Sequence, residues 1–416
     1  MYILGINAFH GDSSACLLKD GKVLCATEEE RFKRVKHWAG FPSEAIKFCL
    51  EDEGISIEQV DHITISRDPK ANFFKKVLHS IKNSISILTI WNRLTNAKKV
   101  SSVKGELAEI FKLPESAIKS QVHNIEHHRS HIASSFFASR FDKSAILSID
   151  GFGDFTSTMT AIGKGNKFEV LDEVNYPHSL GVFYSTVTQF LGFPNYGDEY
   201  KVMGLAPYGE AKYLKELEQI LTLTDDDFFK LNKKYFKHFK EGVDMSWDGG
   251  SPIIESLFTL EWEKLFRTAR EQNDELEQFH IDLAASVQKF TEKVLFHMLN
   301  HLQKKTGCEN ICITGGVAQN SVANGKILES TNFKKIYIPS AGHDAGTSIG
   351  SALYLYNQIL GNERLEEITS AYFGKKSNQE EIVKFLEKES VKYEVYSDED
   401  LYEKVSDKLV NGGVVG

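Results

Sequence analysis

The sequence lacks the features that mark secreted, membrane and nucleic-acid-binding proteins. Its five cysteines are odd in number and form no CxxC pair, which favours free thiols in a reducing compartment over a disulfide framework. No basic segment and long apolar core follow Met1, and the most apolar run, residues 85–91, is too short to span a bilayer. Acidic residues outnumber basic ones by 58 to 49, a formal net charge of −9, which argues against broad binding to nucleic acid. We therefore expect a cytoplasmic protein with no nucleic-acid or membrane partner that works on small molecules.

A pattern of three short strands occurs twice in the chain. Residues 2–27 contain three β-rich runs separated by turn residues, and residues 144–175 repeat this arrangement with little sequence identity. The offset is 143 positions when Asn7 is aligned with Asp150. The sequence therefore predicts a structural duplication.

Two such halves, each continued by helices and further strands, are similar to the ribonuclease-H-like halves of the actin, hexokinase and Hsp70 superfamily. This resemblance implies an α/β fold with a nucleotide cleft between the halves. We predict a first half over residues 1–143 and a second half over 144–372, with an insertion at about 210–260. Residues 373–416 are expected to begin another domain.

Helical spacing is found in several segments between the predicted strands. Helices are expected over residues 43–53, in an apolar and basic stretch over 72–100, after His127, and over 280–305, where apolar residues recur at helical intervals. The last of these is long enough to support one wall of the cleft.

Two histidines and two aspartates are the candidate metal ligands. His127 and His131 stand four apart in a segment of helical propensity, so that both imidazoles project from one face. The residue after His127 is histidine rather than glutamate, so the HExxH general base of a metalloprotease is missing. Asp150 ends a strand and is followed by glycine, and Asp344 precedes a helix rich in small residues.

The same residues have simpler explanations when each is considered alone. The histidines could be a surface pair, and Asp344 could cap a helix. Together, two nitrogen and two oxygen donors suit Fe(II), Mn(II) or Zn(II), and the residues alone do not choose among these metals.

Glycines beside the predicted strand ends are the candidate nucleotide contacts. Gly315 and Gly316 follow a buried strand and precede a helix expected to begin near residue 318, where backbone N–H groups can approach a phosphate. Asn320 is placed to contact ribose or phosphate. Gly151 and Gly153 follow the second-half strand that ends at residue 150 and are assigned to the same nucleotide.

The loops around these strands supply the remaining candidates. His10 and Asp12 lie in the first turn, and His10 is a candidate general base because its usual pKa suits the deprotonation of an alcohol. Lys36 belongs to a charged run directly after a core strand and could supply a cation to a phosphate. Lys201 lies in a loop rich in glycine, proline and aromatic residues that is expected to line the substrate side.

Seven segments together resemble the O-carbamoyltransferases of the NodU/CmcH type across residues 1 to about 370. They are GINAFHGDSSA, ATEEERFKRVKH, EHHRSHIASSF, SIDGFGD, EYKVMGLAPYG, ITGGVAQN and GHDAG. The resemblance implies iron held by His127, His131, Asp150 and Asp344. It also implies transfer of a carbamoyl group from carbamoyl-adenylate, which is made from ATP and carbamoyl phosphate. The acceptor would be a hydroxyl of a secondary metabolite, such as an aminoglycoside, a glycosylated antibiotic or a lipo-oligosaccharide. Magnesium could accompany the ATP.

Members of that family continue with a YrdC-like domain that holds carbamoyl phosphate and forms the adenylate. We expect residues 373–416 to be only the first part of such a domain. Residues 375–416 contain no arginine, so they are not expected to form a pocket for a small dianion.

Two other functions remain open on the residues. A small-molecule kinase of the same superfamily would transfer the γ-phosphate of ATP, and a non-catalytic nucleotide-dependent scaffold would transfer nothing. Neither needs a pair of histidines four residues apart, which favours the transferase.

Overall fold

The computed structural model describes residues 1–82, 102–224, 228–243, 245–247 and 250–416. Contacts divide the chain into two compact units, Met1–Phe373 and Gly374–Gly416. In these ranges no helix combines the length and the apolar character that crossing a membrane would require.

The first sheet is built from the N-terminal strands in the order β3-β2-β1-β4-β5. Strands β1, β2 and β3 pair antiparallel, whereas β4 and β5 continue the sheet parallel to β1. Their bounds are Tyr2–Asn7 (β1), Ser14–Lys19 (β2), Lys22–Glu28 (β3), His62–Ile65 (β4) and Gln121–Asn124 (β5). The central strand β1 is buried on both faces apart from its first residue, as expected for a sheet covered on both sides.

The second sheet repeats this topology in the order β14-β13-β6-β7-β8. Strands β6 to β8 pair antiparallel, and β13 and β14 extend the sheet parallel to β6. Their bounds are Lys143–Gly153 (β6), Thr156–Lys164 (β7), Lys167–Asn175 (β8), Asn310–Thr314 (β13) and Lys335–Tyr337 (β14). Because each sheet places three antiparallel strands beside two parallel ones in the same order, the predicted duplicated α/β fold is confirmed.

The described residues outside the two sheets contain short strands and helices. The remaining strands are Leu221–Thr224 (β9), Phe228–Leu231 (β10), Met245–Ser246 (β11) and Ile253–Ile254 (β12). The helices are Glu30–Lys33 (α1), Ser43–Glu53 (α2), Phe73–Lys82 (α3), Val103–Phe111 (α4), His127–Phe136 (α5), Leu180–Phe190 (α6), Glu199–Leu205 (α7), Leu214–Ile220 (α8), His238–Glu241 (α9), Glu261–Leu265 (α10), Gln278–Thr306 (α11), Ser321–Asn324 (α12), Ile327–Ser330 (α13), Thr347–Leu353 (α14), Gln379–Lys388 (α15) and Asp398–Val410 (α16).

Three predicted helices agree with the structure and one agrees only in part. The helix predicted over 43–53 is α2, the one after His127 is α5, and the one predicted over 280–305 is α11. Helix α11 begins with a capping box between Glu277 and His280 and ends at the left-handed Gly307. Of the helix predicted over 72–100, only α3 lies within the described residues, since 83–101 fall outside them.

Helices α5 and α14 lie between the two sheets and bring the halves together. The buried cluster there contains Ile3 of the first sheet, Ile146 of the second and Phe136 of α5. A Cβ added at Gly5 would lie 2.0 Å from the carbonyl oxygen of Ser348, and one at Gly350 would lie 1.8 Å from that of Ser130. Glycine at both positions therefore allows α14 to approach β1 and α5 at backbone distance.

Candidate metal centre

The two histidines four residues apart lie in the first turns of α5 and are buried. His127 is 4% exposed and His131 is fully buried. Glu126, just before the helix, accepts hydrogen bonds from the backbone N–H groups of His128 (3.1 Å) and Arg129 (2.8 Å). This cap fixes where the helix begins and places both imidazoles on one face.

Asp150 and Asp344 both approach these two imidazoles. Asp150 Oδ2 lies 3.3 Å from Nε2 of both His127 and His131, and Asp344 Oδ1 lies 3.4 and 3.2 Å from the same two nitrogens. The two Nε2 atoms are 3.1 Å apart. All four ligand atoms lie within 4.8 Å of one another. Two nitrogens and two oxygens therefore face a common point, and this donor set fits a divalent transition metal.

The charges in this cluster support one another. Burial disfavours the charged form of Asp344, but His127 and His10 outweigh burial and hold the pKa of Asp344 well below its usual range. Burial likewise opposes a charge on His127, but Asp344 and Asp150 raise its pKa. Burial and Asp344 disfavour a charge on Asp150, but its hydrogen bonds with His127 and His131 outweigh them and hold the pKa of Asp150 below its usual range. Both carboxylates are therefore ionised at neutral pH, which is the state that a cation requires.

His128 points away from this cluster although it lies between the two ligands in sequence. Its Nδ1 is 2.8 Å from the hydroxyl of Ser148, and its Nε2 is 3.1 Å from the carbonyl oxygen of Thr156. The carbonyl can only accept, so Nε2 carries the proton and Nδ1 accepts from Ser148. Burial lowers the pKa of His128 to about 3. It is therefore a neutral core residue.

The predicted catalytic turn adjoins the cluster. His10 Nδ1 lies 2.9 Å from Asp344 Oδ2, and Asp12 Oδ1 lies 2.7 Å from Nδ1 of His37. The side chain of Asn7 holds this turn by donating to the carbonyl oxygens of residues 11 and 12. Lys36, in contrast, is exposed, with its Nζ 5.2 Å from the ring centroid of Tyr200.

The four glycines assigned to the nucleotide have different surroundings. A Cβ added at Gly153 would lie 1.9 Å from Cδ2 of His127, and one at Gly315 would lie 2.2 Å from the carbonyl oxygen of residue 149. The N–H of Gly316 donates to Asp150 Oδ1 at 3.0 Å. Only Gly151 of this set has nothing within 4 Å of an added Cβ. The structure therefore leaves room for a ligand beside Gly151, whereas the other three glycines serve close packing and a carboxylate contact.

Lys201 and Asn320 have protein partners. Lys201 Nζ lies 2.7 Å from Asp198 Oδ1 and 5.9 Å from the ring centroid of Tyr200, on the same tyrosine that Lys36 approaches. The Asn320 amide exchanges hydrogen bonds with Gln288 at 2.9 and 3.0 Å. The Asn320 side chain also accepts from the N–H of Ala323.

The prediction of one continuous helix that begins near residue 318 is wrong. A single 3-10 turn over Gly316–Gln319 is followed by the four-residue helix α12. Asn320 separates the two because its backbone leaves helical geometry and its side chain caps α12. The dipole of a long helix is therefore not available at this turn.

Two contacts near the cluster were not among the sequence-based predictions. Asp154 Oδ2 accepts from the backbone N–H of His127 at 3.0 Å. Nε2 of His343 lies 3.2 Å from Glu28 Oε1. Asp12 is close to this pair, and each of the three residues has an oxygen or nitrogen atom within 4.8 Å of those of the other two. The second aspartate of the SIDGFGD segment was the available signal for Asp154, whereas nothing in the sequence pairs Glu28 with a residue over 300 positions away.

A family model described as "Carbamoyltransferase N-terminus" matches residues 2–353. The chain belongs to the carbamoyltransferase family. The predicted resemblance is thereby confirmed, and the family is one of enzymes.

Two relatives that match this chain are longer than it. The uncharacterised Synechocystis protein sll1178 is 38% identical across the whole chain, which spans 68% of that relative. The nodulation protein NolNO of Sinorhizobium fredii is 32% identical over 99% of the chain, which spans 56% of that relative. Among solved structures, component A of (R)-2-hydroxyglutaryl-CoA dehydratase from Acidaminococcus fermentans aligns at 14% identity with a TM-score of 0.42, covering 86% of this chain and 99% of that one.

Proposed function

We propose that this carbamoyltransferase-family chain carries the transfer centre of an O-carbamoyltransferase. The reaction moves a carbamoyl group from carbamoyl-adenylate, made from carbamoyl phosphate and ATP, to a hydroxyl of a small molecule, in keeping with a role in secondary-metabolite or antibiotic biosynthesis. The supporting observation is the convergence of two buried imidazoles and two partly buried carboxylates between the halves of the fold. A kinase or scaffold of the same fold has no use for this donor set.

His127, His131, Asp150 and Asp344 would hold one divalent metal, with Fe(II) proposed and Zn(II) or Mn(II) as the alternatives. Such an ion supplies Lewis-acid polarisation of the carbamoyl carbonyl or neutralises the leaving phosphate. The two carboxylates would balance the charge of the ion, and the two imidazoles would supply neutral nitrogen donors.

His10 is the proposed general base. Asp344 Oδ2 accepts a hydrogen bond from Nδ1 of His10, which directs the lone pair to Nε2, and Nε2 has no hydrogen-bond partner among the described residues. Nε2 removes the proton of the acceptor hydroxyl while the hydroxyl oxygen forms a bond to the carbamoyl carbon. The bond between that carbon and the phosphate oxygen breaks, and AMP leaves with the electron pair.

Asp12 and the nearby lysines have supporting roles in this proposal. Asp12, bound to His37, stabilises the turn that carries His10. We place the AMP moiety beside Gly151, where the backbone is open. Lys36 and Lys201, which both lie near the ring of Tyr200, would supply positive charge to phosphate groups, with Mg²⁺ accompanying ATP where ATP is bound.

The test separates transfer from adenylate formation. Metal-loaded protein receives preformed carbamoyl-adenylate labelled with ¹⁴C in the carbamoyl group and a panel of hydroxylated small molecules, and acceptor-dependent label transfer and AMP release are measured. A parallel reaction contains γ-³²P-ATP in place of the adenylate. Label transfer that falls by a factor of about 10² or more in His10→Gln supports the proposal. Transfer of ³²P to an acceptor, with no ¹⁴C transfer, would identify a kinase instead.

A further inference from the structure

The turn after β6 contacts the metal-ligand helix α5 at its first residue. Gly153 packs against the imidazole of His127, since an added Cβ would lie 1.9 Å from Cδ2 and 2.7 Å from Cβ of that side chain. The neighbouring Asp154 accepts a hydrogen bond from the backbone N–H of His127 at 3.0 Å. One turn therefore holds both the ring and the backbone of a proposed ligand.

The N–H groups at the start of a helix lack partners in a preceding turn of that helix. In α5, Asp154 and Glu126 together accept hydrogen bonds from the N–H groups of residues 127–130. Glu126 bonds the N–H groups of His128 and Arg129 through its carboxylate and that of Ser130 through its carbonyl. Only the N–H of His127 depends on Asp154. The contact is therefore specific to the residue that carries the first ligand.

The backbone of this turn is held in an unfavourable conformation. Asp154 has φ 48° and Phe155 has φ 82°, and both values lie in the left-handed region that residues other than glycine rarely adopt. Two consecutive residues in this region persist only where surrounding contacts hold them there. Those contacts include hydrogen bonds from the first half of the fold and one from the second half, in which the N–H of Tyr176 donates to the carbonyl oxygen of Phe155 at 2.9 Å.

Asp154 also contacts the segment that follows β4. The same oxygen, Oδ2, accepts from the backbone N–H of Asp68 at 2.8 Å. Asn72, just before α3, donates to the carbonyl oxygen of Asp154 at 3.1 Å and to the hydroxyl of Thr156 at 3.2 Å. The Asp154 carboxylate oxygen therefore joins Asp68 to His127, and the Asp154 carbonyl oxygen adds a contact to Asn72.

We infer that Asp154 is a positioning residue that orients His127 for metal binding and links the metal centre to residues 68–72. The inference rests on the proposed metal centre, and it goes further by assigning a role to a residue outside the ligand set. Groups that orient a ligand commonly change metal affinity by 10- to 100-fold when removed.

Two substitutions at Asp154 separate the hydrogen bonds from the backbone strain. Asp154→Gly tolerates the left-handed φ but removes the oxygen that accepts from His127 and Asp68. Asp154→Asn keeps one acceptor oxygen, which suffices because both bonds reach the same atom, and asparagine tolerates this conformation. The matched control is Asp282→Ala, because Asp282 is a buried carboxylate that accepts a backbone N–H from Glu210 at 2.9 Å and contacts none of the ligands.

Dissociation constants for Co(II) and Zn(II) are measured by chelator competition, together with thermal unfolding of the metal-free proteins. We expect Asp154→Gly to bind both metals at least tenfold more weakly, Asp154→Asn to stay within about threefold of the parent, and Asp282→Ala to lose stability without losing affinity. Unchanged affinity in Asp154→Gly would overturn the inference and leave the metal centre standing. If metal binding by the parent protein does not depend on His127, both the inference and the proposed metal centre are wrong.

Hydrogen exchange on the parent protein tests the link if the glycine variant does not fold. Metal binding is expected to slow amide exchange in residues 66–72, since a site that orders His127 also orders its bonded partners. Exchange in that segment that is the same with and without metal would overturn the link between the two.

Discussion

The backbone N–H of Gly316 donates a hydrogen bond to Oδ1 of Asp150 at 3.0 Å. The other oxygen of this carboxylate faces His127 and His131. The Gly315–Gly316 turn therefore holds a proposed metal ligand from behind, although the sequence pattern had assigned it to a phosphate. A Cβ added at Gly316 would lie 2.7 Å from that Oδ1 atom.

Gly316→Ala should weaken metal binding by about tenfold, because the new methyl group displaces the Asp150 carboxylate and removes space for its hydrogen bond. The measurement is a chelator competition with Zn(II). Gly325→Ala is the control, since an added Cβ there meets its nearest atom at 3.6 Å, an ordinary contact. Equal affinity in the two variants would show that the turn does not hold the ligand.

His127→Ala and His131→Ala should each abolish stoichiometric metal and carbamoyl transfer. Each change removes one of two nitrogen donors from a set of four and leaves the carboxylates less well matched to a transition metal. Metal content by elemental analysis is the readout, and His62→Ala, a histidine on β4 paired with His123, is the control. A full complement of metal in both ligand variants would contradict the site.

The Glu28–His343 pair should make the stability of the metal-free protein depend on pH. The hydrogen bond from His343 lowers the pKa of Glu28 to about 2 despite burial, and Glu28 outweighs burial to raise the pKa of His343 to about 9. The contribution of Glu28 is present above about pH 4.5 and lost as the pH falls towards 2. That of His343 is complete below about pH 6.5 and lost as the pH rises through 9.

Glu28→Gln should therefore lower the free energy of unfolding most between about pH 4.5 and 6.5, by on the order of 1–2 kcal/mol, and much less at pH 10. Urea unfolding at a series of pH values measures this difference. Glu44→Gln is the control, because it breaks an ion pair with Lys47 that contains no histidine. Above pH 6 its free energy of unfolding should vary with pH in parallel with that of the parent. A Glu28→Gln effect that is the same at pH 6 and pH 10 would rule out a charged pair.

AMP should protect the protein against thermal unfolding, by about 2.7 kcal/mol at a concentration 100 times its dissociation constant. Gly151→Val should remove that protection because its side chain would occupy the open space beside Asp150. Metal content and the melting temperature without ligand should stay at parental values, which is the internal control. Undiminished protection by AMP in this variant would place the nucleotide elsewhere.

The duplicated fold was predictable because its signal is local. Strand runs with turn residues at their ends recur at residues 2–27 and 144–175, and alternation and turn chemistry depend on neighbours in sequence. The long helix α11 was predictable for the same reason, since six apolar residues that recur at helical intervals along it are buried. These residues are Ala284, Val287, Phe290, Val294, Met298 and Leu302. The four candidate ligands could also be named, because their residue types and positions at strand and helix ends are visible in the sequence.

The contacts that orient those ligands depended on the tertiary structure. Asp154 bonds His127 across 27 positions, Gly316 bonds Asp150 across 166, and Glu28 meets His343 across 315. Each contact arises where separate elements converge, and its geometry depends on how closely helices α5 and α14 approach the sheets. A glycine that admits an imidazole ring and one that admits a phosphate look the same in sequence, because both only lack a side chain. Which neighbour fills that space is decided by packing between distant segments of the chain.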